Sequence, residues 1–546
     1  MAEADNAARG STQLAPTRHR VPDGRESVSA SPPGPSAAPT APAAAEPKAN
    51  WGIPLTVVVT GMFMVVLDTS IVNVAIPTMQ GQFGASPDDI EWIATAYTLC
   101  LGVVVPTSAW LGERIGLKRT YLIALVMFAL FSALCGTAGD LNTMIIYRIL
   151  QAVPGGVIPV TCLTILYRLV PPSKLGTAMG LYGLGVVFAP GVGPTLGGYL
   201  VDYVDWRLIF YINVPIGIVG AIAAMIVLPK FPQEAARPFD LPGFLCIAAA
   251  CFALLLAVSE GQIWGWGGYR VMILVAVGIN LLALFVVIER QVKQPLLNLS
   301  VFAYWPFVNS LLLMGIVYTS LFASVYIVPL FLQSVQGITP WNTGLTVMPM
   351  ALVMAALNPI SGRLFDKLGA RWIVMTGMTI NGLANIWMSQ LDITTSRTEI
   401  ILRTMLSGVG LSMSLMPIMT GGMSVLPPAI VSGGSAIITL VQRVTAAIGL
   451  AAITSLTAVQ QAQLFAYRTA LVPASGADVD PRITAMQSGG SGGMIPLFTE
   501  MKRLVATQSD SNAFFLIGVC VLAAVPLASL LPSRGGRRSS APVDSH

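Results

Sequence analysis

Histidine and charged residues are both scarce in this chain. Its two histidines, His19 and His546, lie near the two ends, outside every long apolar run. This placement excludes a histidine-based metal site and a histidine general base in the body of the protein. Charged residues make up 10% of the 546 residues, against about 25% in soluble proteins. Most of the chain must therefore face lipid or other membrane-embedded helices.

Sequence signatures of ATP, nucleic-acid and disulfide chemistry are absent as well. No GxxxxGK[ST] phosphate loop occurs, so we expect neither direct drive by ATP nor a bound cofactor. The net charge of +5 is small and scattered, which argues against nucleic acid as a partner. All six cysteines fall within apolar runs, where we expect them to pack as small hydrophobic side chains.

What the sequence does contain is a series of long apolar runs separated by short polar breaks. Each run is long enough to cross a hydrocarbon core about 30 Å thick. We predict fourteen spans, at about residues 53–77, 90–111, 119–138, 141–167, 176–200, 207–228, 241–259, 271–289, 304–334, 343–361, 372–391, 398–425, 433–459 and 512–532. Twelve is the alternative count, if the seventh and eighth runs do not cross the membrane.

The polar segments set the expected orientation. Residues 1–50, rich in Pro, Ala and Ser, and residues 533–546 are predicted to be tails, the first of them disordered. Lys and Arg concentrate in every second break, and by the positive-inside rule these breaks and both termini are cytoplasmic. The outer segment at about 460–511 is longer than the other breaks. We expect a flexible surface loop there, with a lid or a docking point for an accessory protein as the alternatives.

Two charged residues lie well inside apolar runs. Asp68 follows about 15 residues of the first, outward-running span, and Arg148 about seven residues of the fourth, inward-running span. At 1.5 Å per residue these positions have the same depth in the membrane. An acid and a base at one level should pair or share a water-filled cavity. The alternatives are structural: a hydrogen bond from Asp68 to a neighbouring helix, and contacts of Arg148 with backbone carbonyls.

Desolvation favours the neutral form of Asp68, whereas a nearby Arg148 favours its charged form. A carboxyl group balanced between these two effects can take up a proton on one side of the membrane and release it on the other. We therefore predict that Asp68 couples transport to protons and that Arg148 tunes it.

The chain also carries a weak internal duplication. Residues 109–118 after the second span and residues 362–371 after the tenth share a pattern of small residue, leucine, acid, base, glycine and base. Arg403 occupies the place in the twelfth span that Arg148 has in the fourth. Two six-helix bundles, at 51–230 and 301–532, with two inserted helices at 231–300, explain both matches. Parallel repeats of this kind are typical of secondary transporters.

Several motifs in the correct order resemble the major facilitator superfamily, and within it the fourteen-helix drug:proton antiporters of the EmrB/QacA type. They are Leu67-Asp68-x-x-Ile71-Val72-Asn73 in the first span, the break at 109–118, Arg148-x-x-Gln151 in the fourth span, Gly191-x-Gly193-Pro194-x-x-Gly197-Gly198 in the fifth, and Trp206-Arg207-x-Ile209-Phe210-Tyr211-Ile212-Asn213 at the start of the sixth. The break at 109–118 departs from the family pattern, with Ala109 for the usual Gly and Glu113 for the usual Asp.

The resemblance implies roles for further residues. The motif that looks like the family's antiporter motif comprises Pro190, Gly191, Gly193, Pro194, Gly197 and Gly198, a bent and closely packed helix that could limit leak between the halves. The resemblance implies a cytoplasmic gate made of Glu113, Arg114, Gly116, Lys118, Asp366, Lys367, Gly369 and Arg371, although the basic residues would serve as topology signals in any case. Candidate cavity residues are Asn73, Gln151, Arg403 and Arg443, the last being either cavity-lining or structural.

The sequence as a whole predicts an all-α polytopic protein of the bacterial plasma membrane. Its expected function is proton-driven export of hydrophobic or amphipathic small molecules, such as drugs, by alternating access between the two bundles. The expected partners are therefore a small-molecule substrate, protons and the lipid bilayer. One alternative keeps the fold but exports a native lipid, siderophore or metabolite. Another is a non-transporting membrane sensor or scaffold. An enzyme is not expected.

Overall fold

A computed structural model describes residues 51–231, 238–292, 295–470 and 491–533. The predicted tail at 1–50, and all but the first residue of the tail at 533–546, lie outside these ranges. The described residues form helices, and their one strand-like contact is an isolated bridge between Gly369 and Ser533. The all-α polytopic fold class is therefore confirmed.

The long helices are numbered here by predicted span. They are α1 (Gly52–Phe83), α2a (Trp92–Val104), α2b (Thr107–Ile115), α3 (Leu117–Thr137), α4 (Leu141–Leu169), α5 (Leu175–Tyr203), α6 (Asn213–Val227), α7 (Leu241–Glu260), α8 (Tyr269–Gln291), α9 (Trp305–Leu330), α10 (Pro340–Leu368), α11 (Ala370–Met388), α12 (Arg397–Met423), α13 (Val431–Ala470) and α14 (Ser491–Ala523). Short helical turns lie at Pro87–Ile90, Pro172–Lys174, Leu208–Tyr211, Leu299–Ala303, Phe331–Val335, Pro428–Ile430 and Val525–Ala528.

The number of membrane spans depends on whether α2a and α2b form one span and on whether α11 is counted as a span. Within the described residues, twelve helices are long and apolar enough to cross a membrane, or thirteen if α2a and α2b form one span bent by 57°. The bend falls at Pro106, which has no N–H group to continue the helix. Helix α11 is not among the twelve, because it carries the buried polar residues Asn381 and Asn385 and is less apolar than they are. Helices α7 and α8, which the alternative count would exclude, both qualify. The count of fourteen stays a prediction.

The helices pack in two sets joined through α5 and α10. In the first set α1 contacts α4, α5 and α6, and α3 contacts α4 and α6. In the second set α9 contacts α12, α13 and α14, and α11 contacts α12 and α14. Helices α7 and α8 pack on each other, and α7 contacts both α2a and α13. The inserted pair therefore lies beside the seam between the two sets.

The two copies of the duplicated motif share an unusual backbone geometry. Gly116, between α2b and α3, has φ +91°, and Gly369, between α10 and α11, has φ +83°. Side chains with a Cβ rarely adopt such values, so glycine is required at both turns. The duplication seen in the sequence thus corresponds to the same tight turn in both halves.

Helices α5 and α10 approach each other closely at the end that the sequence predicts to be cytoplasmic, called the inner end below. A Cβ atom at Gly176 would overlap the Gly362 carbonyl oxygen, and one at Gly180 would lie 2.7 Å from Pro359 Cα. Glycines four residues apart allow such backbone contact between membrane helices. The spacing of Gly176 and Gly180 was a sequence signal for this crossing.

The predicted surface loop at 460–511 is largely helical in the structure, so its proposed bounds were wrong. Helix α13 continues to Ala470 and α14 begins at Ser491, and only residues 471–490 lie outside the description. Phe465 and Phe498 pack edge to face with their ring centroids 5.3 Å apart. This contact between helices favours continued helix over loop. The two alternatives for this segment, a lid or a docking point for an accessory protein, stay hypotheses.

Candidate functional site

A buried acid–base pair lies at the centre of the first set of helices. Asp68 on α1 and Arg148 on α4 are 0% and 1% exposed. Arg148 Nη1 donates a hydrogen bond of 2.7 Å to Asp68 Oδ2. The structure therefore brings these two predicted residues together as an ion pair. A pair removed from water is stable only when its other hydrogen-bonding positions are filled.

Two amide side chains fill the remaining positions of the Asp68 carboxylate. Gln151 Nε2 and Asn213 Nδ2 each donate to Asp68 Oδ1 at 2.9 Å. Gln151 Oε1 in turn accepts a hydrogen bond of 2.7 Å from Arg148 Nη1. The carboxylate thus has three donors, supplied by α4 and α6, and the ion pair belongs to a closed network.

The remaining surface of Arg148 is covered by aromatic rings and one carbonyl. Its guanidinium carbon lies 3.8 Å from the centroid of the Tyr97 ring and 5.7 Å from that of Phe210. Arg148 Nε donates to the Ile93 carbonyl at 3.4 Å. Cation–π contact of this kind stabilises a guanidinium away from water.

Local structure explains why Arg148 and Gln151 face Asp68 together. Asp140 caps the start of α4 by accepting hydrogen bonds from Thr143 N at 2.9 Å and Thr143 Oγ1 at 2.7 Å. These bonds lower the pKa of the Asp140 carboxyl group from its ordinary value. From this fixed start Arg148 lies about 10 Å along α4. Gln151 follows three residues later on the same face.

Sequence reasoning missed one direct partner of Asp68. Asn213 is fully buried at the start of α6, and its Nδ2 also contacts Ser132 Oγ of α3 at 3.1 Å. Ser132 Oγ donates to the Phe210 carbonyl at 2.8 Å. The signal was available, because Asn213 is an amide within an apolar run and belongs to the motif that opens the sixth span.

The second set of helices has an uncharged cluster in the corresponding place. Ser320 Oγ of α9 donates to Asn381 Oδ1 of α11 at 2.9 Å, and Asn385 Nδ2 donates to Ser320 Oγ at 3.0 Å. Asn381 Nδ2 donates to Ser407 Oγ of α12 at 3.2 Å. All four residues are buried. Both halves therefore have a polar centre, but the centre of the first half contains the Asp68–Arg148 ion pair, whereas this cluster has no charged member.

Arg403 does not take part in that cluster. It pairs with Glu399 one turn earlier on α12, and its Nη1 donates to the Trp387 carbonyl at 2.9 Å. Its guanidinium carbon also lies 5.3 Å from the centroid of the Trp387 ring. The candidate cavity residue Arg403 is thus buried and bound to groups near the outer end of α11 and α12.

At the inner end, Asp366 of α10 binds the start of α5. Asp366 Oδ1 accepts from Gly176 N at 2.8 Å, and Oδ2 accepts from Thr177 N at 2.9 Å and Thr177 Oγ1 at 2.7 Å. The first turn of a helix has free N–H groups and a positive partial charge, so it binds a carboxylate. Asp366 therefore links the two halves where α5 and α10 cross.

Glu113 of α2b makes the corresponding link in the opposite direction. Its Oε1 accepts a hydrogen bond of 2.8 Å from Ser432 Oγ, in the first turn of α13. The two predicted acidic gate residues thus each contact the start of a helix from the other half.

The basic members of the two clusters have other positions. Lys118 Nζ donates to two carbonyls at the end of α6, at 2.8 and 2.5 Å, where a helix favours positive charge. Arg371 Nε donates to a carbonyl that follows α14 at 3.4 Å. The guanidinium carbon of Arg114 lies 5.6 Å from the Trp110 ring centroid. Lys367 lies in the last turn of α10.

The glycines of the predicted antiporter motif face different neighbours. A Cβ at Gly193 would overlap Ser70 of α1, and one at Gly197 would lie 2.8 Å from Ile71 Cγ1. A Cβ at Gly191 would lie 2.5 Å from Ala351 of α10. Gly198 has no neighbour within 4 Å of such an atom. Pro190 and Pro194 lie inside α5, which continues through both.

None of the hydrogen bonds or ion pairs of the described residues links the remaining candidate cavity residues to the acid–base pair. Asn73 is exposed on α1, and none of the described hydrogen bonds links it to Asp68. Arg443 of α13 is partly exposed, and its electrostatic neighbours are Tyr97, Tyr182 and Tyr318. The described residues contain no group of three or more histidine, cysteine, aspartate or glutamate side chains that could hold a metal ion.

Long apolar helices in two joined sets, with a charged network buried inside one of them, define a polytopic membrane transporter. The sequence profile described as the Major Facilitator Superfamily matches residues 58–450. The chain belongs to this superfamily.

Relatives of known sequence include drug exporters. The uncharacterized MFS-type transporter YhcA of Bacillus subtilis is 34% identical over 74% of this chain and 76% of its own length. The multidrug resistance protein Stp of Mycobacterium tuberculosis is 31% identical over 74% of this chain and 76% of its own. The tetracenomycin C resistance and export protein of Streptomyces glaucescens is 31% identical over 67% of this chain and 68% of its own. The resemblance to drug-efflux members of the superfamily is thus confirmed.

Solved structures show the same fold at low identity. The human organic anion transporter MFSD10 matches with a TM-score of 0.58 and 12% identity, over 86% of this chain and 99% of its own. The proton:xylose symporter XylE matches with a TM-score of 0.56 and 12% identity, over 88% of this chain and 96% of its own. Identities this low indicate a shared fold and do not extend to substrate or coupling.

Proposed function

We propose that this transporter is a proton-coupled antiporter that exports hydrophobic or amphipathic small molecules by alternating access. The observation that carries the proposal is the Asp68–Arg148 ion pair, fully buried at mid-membrane and held by Gln151 and Asn213. Ionisable residues at this depth are costly and mark ion or substrate pathways. The driving force is the proton gradient, with no bound cofactor.

Protonation of Asp68 would change the network in a defined way. It removes one charge of the pair and leaves Arg148 with Gln151 Oε1, the Tyr97 ring and the Ile93 carbonyl. The attraction between α1 and α4 then weakens, which favours rearrangement of the first half. Release of the proton on the other side restores the ion pair, so one proton accompanies each cycle.

The contacts at the inner end supply the gate in this cycle. With Asp366 bound to the start of α5 and Glu113 bound to Ser432, the inner end is closed between the halves. Opening it breaks both links and separates Gly176 from Gly362. In this proposal the inner end and both termini lie on the cytoplasmic side of a bacterial plasma membrane, as the distribution of Lys and Arg predicts.

Export of a native lipid, siderophore or metabolite is the nearest alternative, and it uses the same coupling. The relatives named for multidrug resistance and for tetracenomycin C export support small-molecule export over a sensor or scaffold. A non-transporting protein would also not need a buried, fully hydrogen-bonded acid–base pair in its first half.

The test is transport by the purified protein in proteoliposomes. Cationic dyes, neutral antibiotics and lipids are screened with and without an imposed pH gradient, and lumenal pH is followed with a trapped dye. We expect substrate flux that depends on the gradient, with protons moving opposite to substrate. Flux that ignores the gradient contradicts proton coupling. The absence of any flux favours the sensor or scaffold.

A further inference from the structure

Arg443 lies on α13, which contacts α2a and α4 of the first half and α9 of the second. It follows Val431, the first residue of α13, by twelve positions, which corresponds to about 18 Å along the helix. Its electrostatic neighbours are Tyr97 of α2a and Tyr182 of α5 in the first half, and Tyr318 of α9 in the second. Arg443 is partly exposed; the region around it, where these helices of the two halves meet, is called the central space below.

The positive charge of Arg443 has no compensating partner among the residues that the structure describes. Arg148 and Arg403 each pair with a carboxylate and lie over an aromatic ring. None of the hydrogen bonds, ion pairs or cation–π contacts of the described residues includes Arg443. A charge removed from water is costly unless it is paired. We therefore expect this guanidinium to bind an anion from outside the protein.

Other charges near this space do not alter its sign. Asp68 is neutralised by Arg148, and the polar cluster around Asn381 is uncharged. Asp510 also has a buried carboxylate, but it lies level with the outer end of α11. The adjacent Ser511 shows this depth, since its Oγ donates to the Leu391 carbonyl at 3.2 Å. Arg443 therefore determines the electrostatic preference of the central space.

We propose, on the basis of the export function above, that Arg443 anchors the acidic group of the substrate. The substrates are then amphipathic organic anions, in which a carboxylate, sulfonate, phosphate or phenolate is joined to an apolar or aromatic body. The guanidinium offers up to five N–H donors in the geometry that an oxyanion accepts. Tyr97 also contacts Arg148, so bound substrate lies next to the proton-coupling network.

The test uses two fluorescent probes that differ mainly in one charged group. 1-Anilinonaphthalene-8-sulfonate carries a sulfonate that N-phenyl-1-naphthylamine lacks. Binding of both is measured to the full-length protein in phosphatidylcholine nanodiscs, with empty nanodiscs subtracted. The variants are Arg443→Gln and Arg443→Lys, with Arg270→Gln as control because Arg270 is an exposed arginine at the start of α8.

We expect Arg443→Gln to weaken binding of the sulfonate probe by about 10- to 100-fold, the range for hydrogen bonds to a charged group. Binding of the neutral probe should stay within about twofold, and Arg443→Lys should restore much of the sulfonate affinity. Arg270→Gln should bind both probes as the wild type does. Folding of each variant is checked by thermal unfolding, and if Arg443→Gln does not fold, Arg443→Lys and the two wild-type affinities still decide.

Equal loss for both probes, no loss for the sulfonate, or a wild-type protein that does not bind the sulfonate would each overturn the proposal. Nanodiscs with added phosphatidylglycerol separate two sources of the anion. If phosphatidylglycerol competes with the sulfonate probe, the ligand is identified as a lipid phosphate. If the lipid does not compete, the ligand is identified as a soluble anion. Binding needs no pH gradient, so failure of proton coupling in proteoliposomes would leave these results unaffected and is read separately.

Discussion

Replacing Asp68 with asparagine tests the coupling role most directly. Asp68→Asn keeps the size of the side chain and removes its charge. If the amide oxygen takes the place of Oδ1, it still accepts from Gln151 and Asn213. The amide nitrogen then faces Arg148 Nη1, a donor that now meets another donor in place of Oδ2.

The structure sets the size of the expected loss. Removing one partner of a buried ion pair costs about 3–5 kcal/mol of folding stability, because a charge is left unpaired. Arg148 keeps Gln151 Oε1 at 2.7 Å and the Tyr97 ring at 3.8 Å. We therefore expect a cost of about 3 kcal/mol, at the lower end of that range. The variant should fold, with a lower melting temperature.

The expected functional result is a loss of proton coupling with substrate binding retained. Asparagine resembles a permanently protonated carboxyl group, which cannot release its proton. In proteoliposomes Asp68→Asn should lose gradient-driven flux, while exchange of labelled for unlabelled substrate continues. Glu399→Gln is the matched control, since Glu399 pairs with a buried arginine outside the central network. The control should keep gradient-driven flux within a few-fold of the wild type.

Gradient-driven flux at the wild-type rate in Asp68→Asn, with protons still moving against substrate, would refute the reasoning. Loss of exchange together with loss of driven flux would point instead to a structural or substrate-binding role for the ion pair.

Three further changes probe the gate and the helices that support the site. Gly362→Leu should abolish export because its side chain would overlap α5 at the crossing, whereas Gly198→Ala, in open space, should export within about twofold of the wild type. Asp366→Asn should favour the inner-open state by about 1 kcal/mol through weaker binding of the α5 start, seen as longer spin-label distances across the inner end. Unchanged distances would contradict a gating role. Because hydrogen bonds lower the Asp140 pKa in the folded protein, its stabilisation is present above the unfolded value of about 3.9 and is lost at lower pH. The difference in melting temperature between the wild type and Asp140→Ala should therefore shrink below about pH 3.9, and a constant difference would contradict it.

Much of the fold follows from the sequence because membrane insertion depends on local composition. Apolar runs of sufficient length predicted the helices, and the duplicated motif predicted two related halves, with Gly116 and Gly369 at corresponding positions. The errors lie where composition is ambiguous. Residues 460–470 and 491–511 are polar enough to suggest a loop, yet they continue α13 and α14 through a contact between Phe465 and Phe498.

The site was predictable only in part, for the same physical reason. A constant rise per residue fixes depth, so the sequence alone places Asp68 and Arg148 at one level. Which side chains surround them depends on the faces that neighbouring helices present. Asn213, a direct partner of Asp68, was therefore missed.

The sequence by itself determined a membrane protein of two related halves, with an acid and a base at the same depth in the first half and acidic residues at the inner ends of helices. These properties are carried by residues close together in the chain. Tertiary structure decided the partners: Asp366 binds the start of α5 about 190 residues away, and Arg443 lies near three tyrosines and pairs with none of the carboxylates that the structure describes. Such pairings depend on helix packing over the whole molecule, which no local pattern encodes.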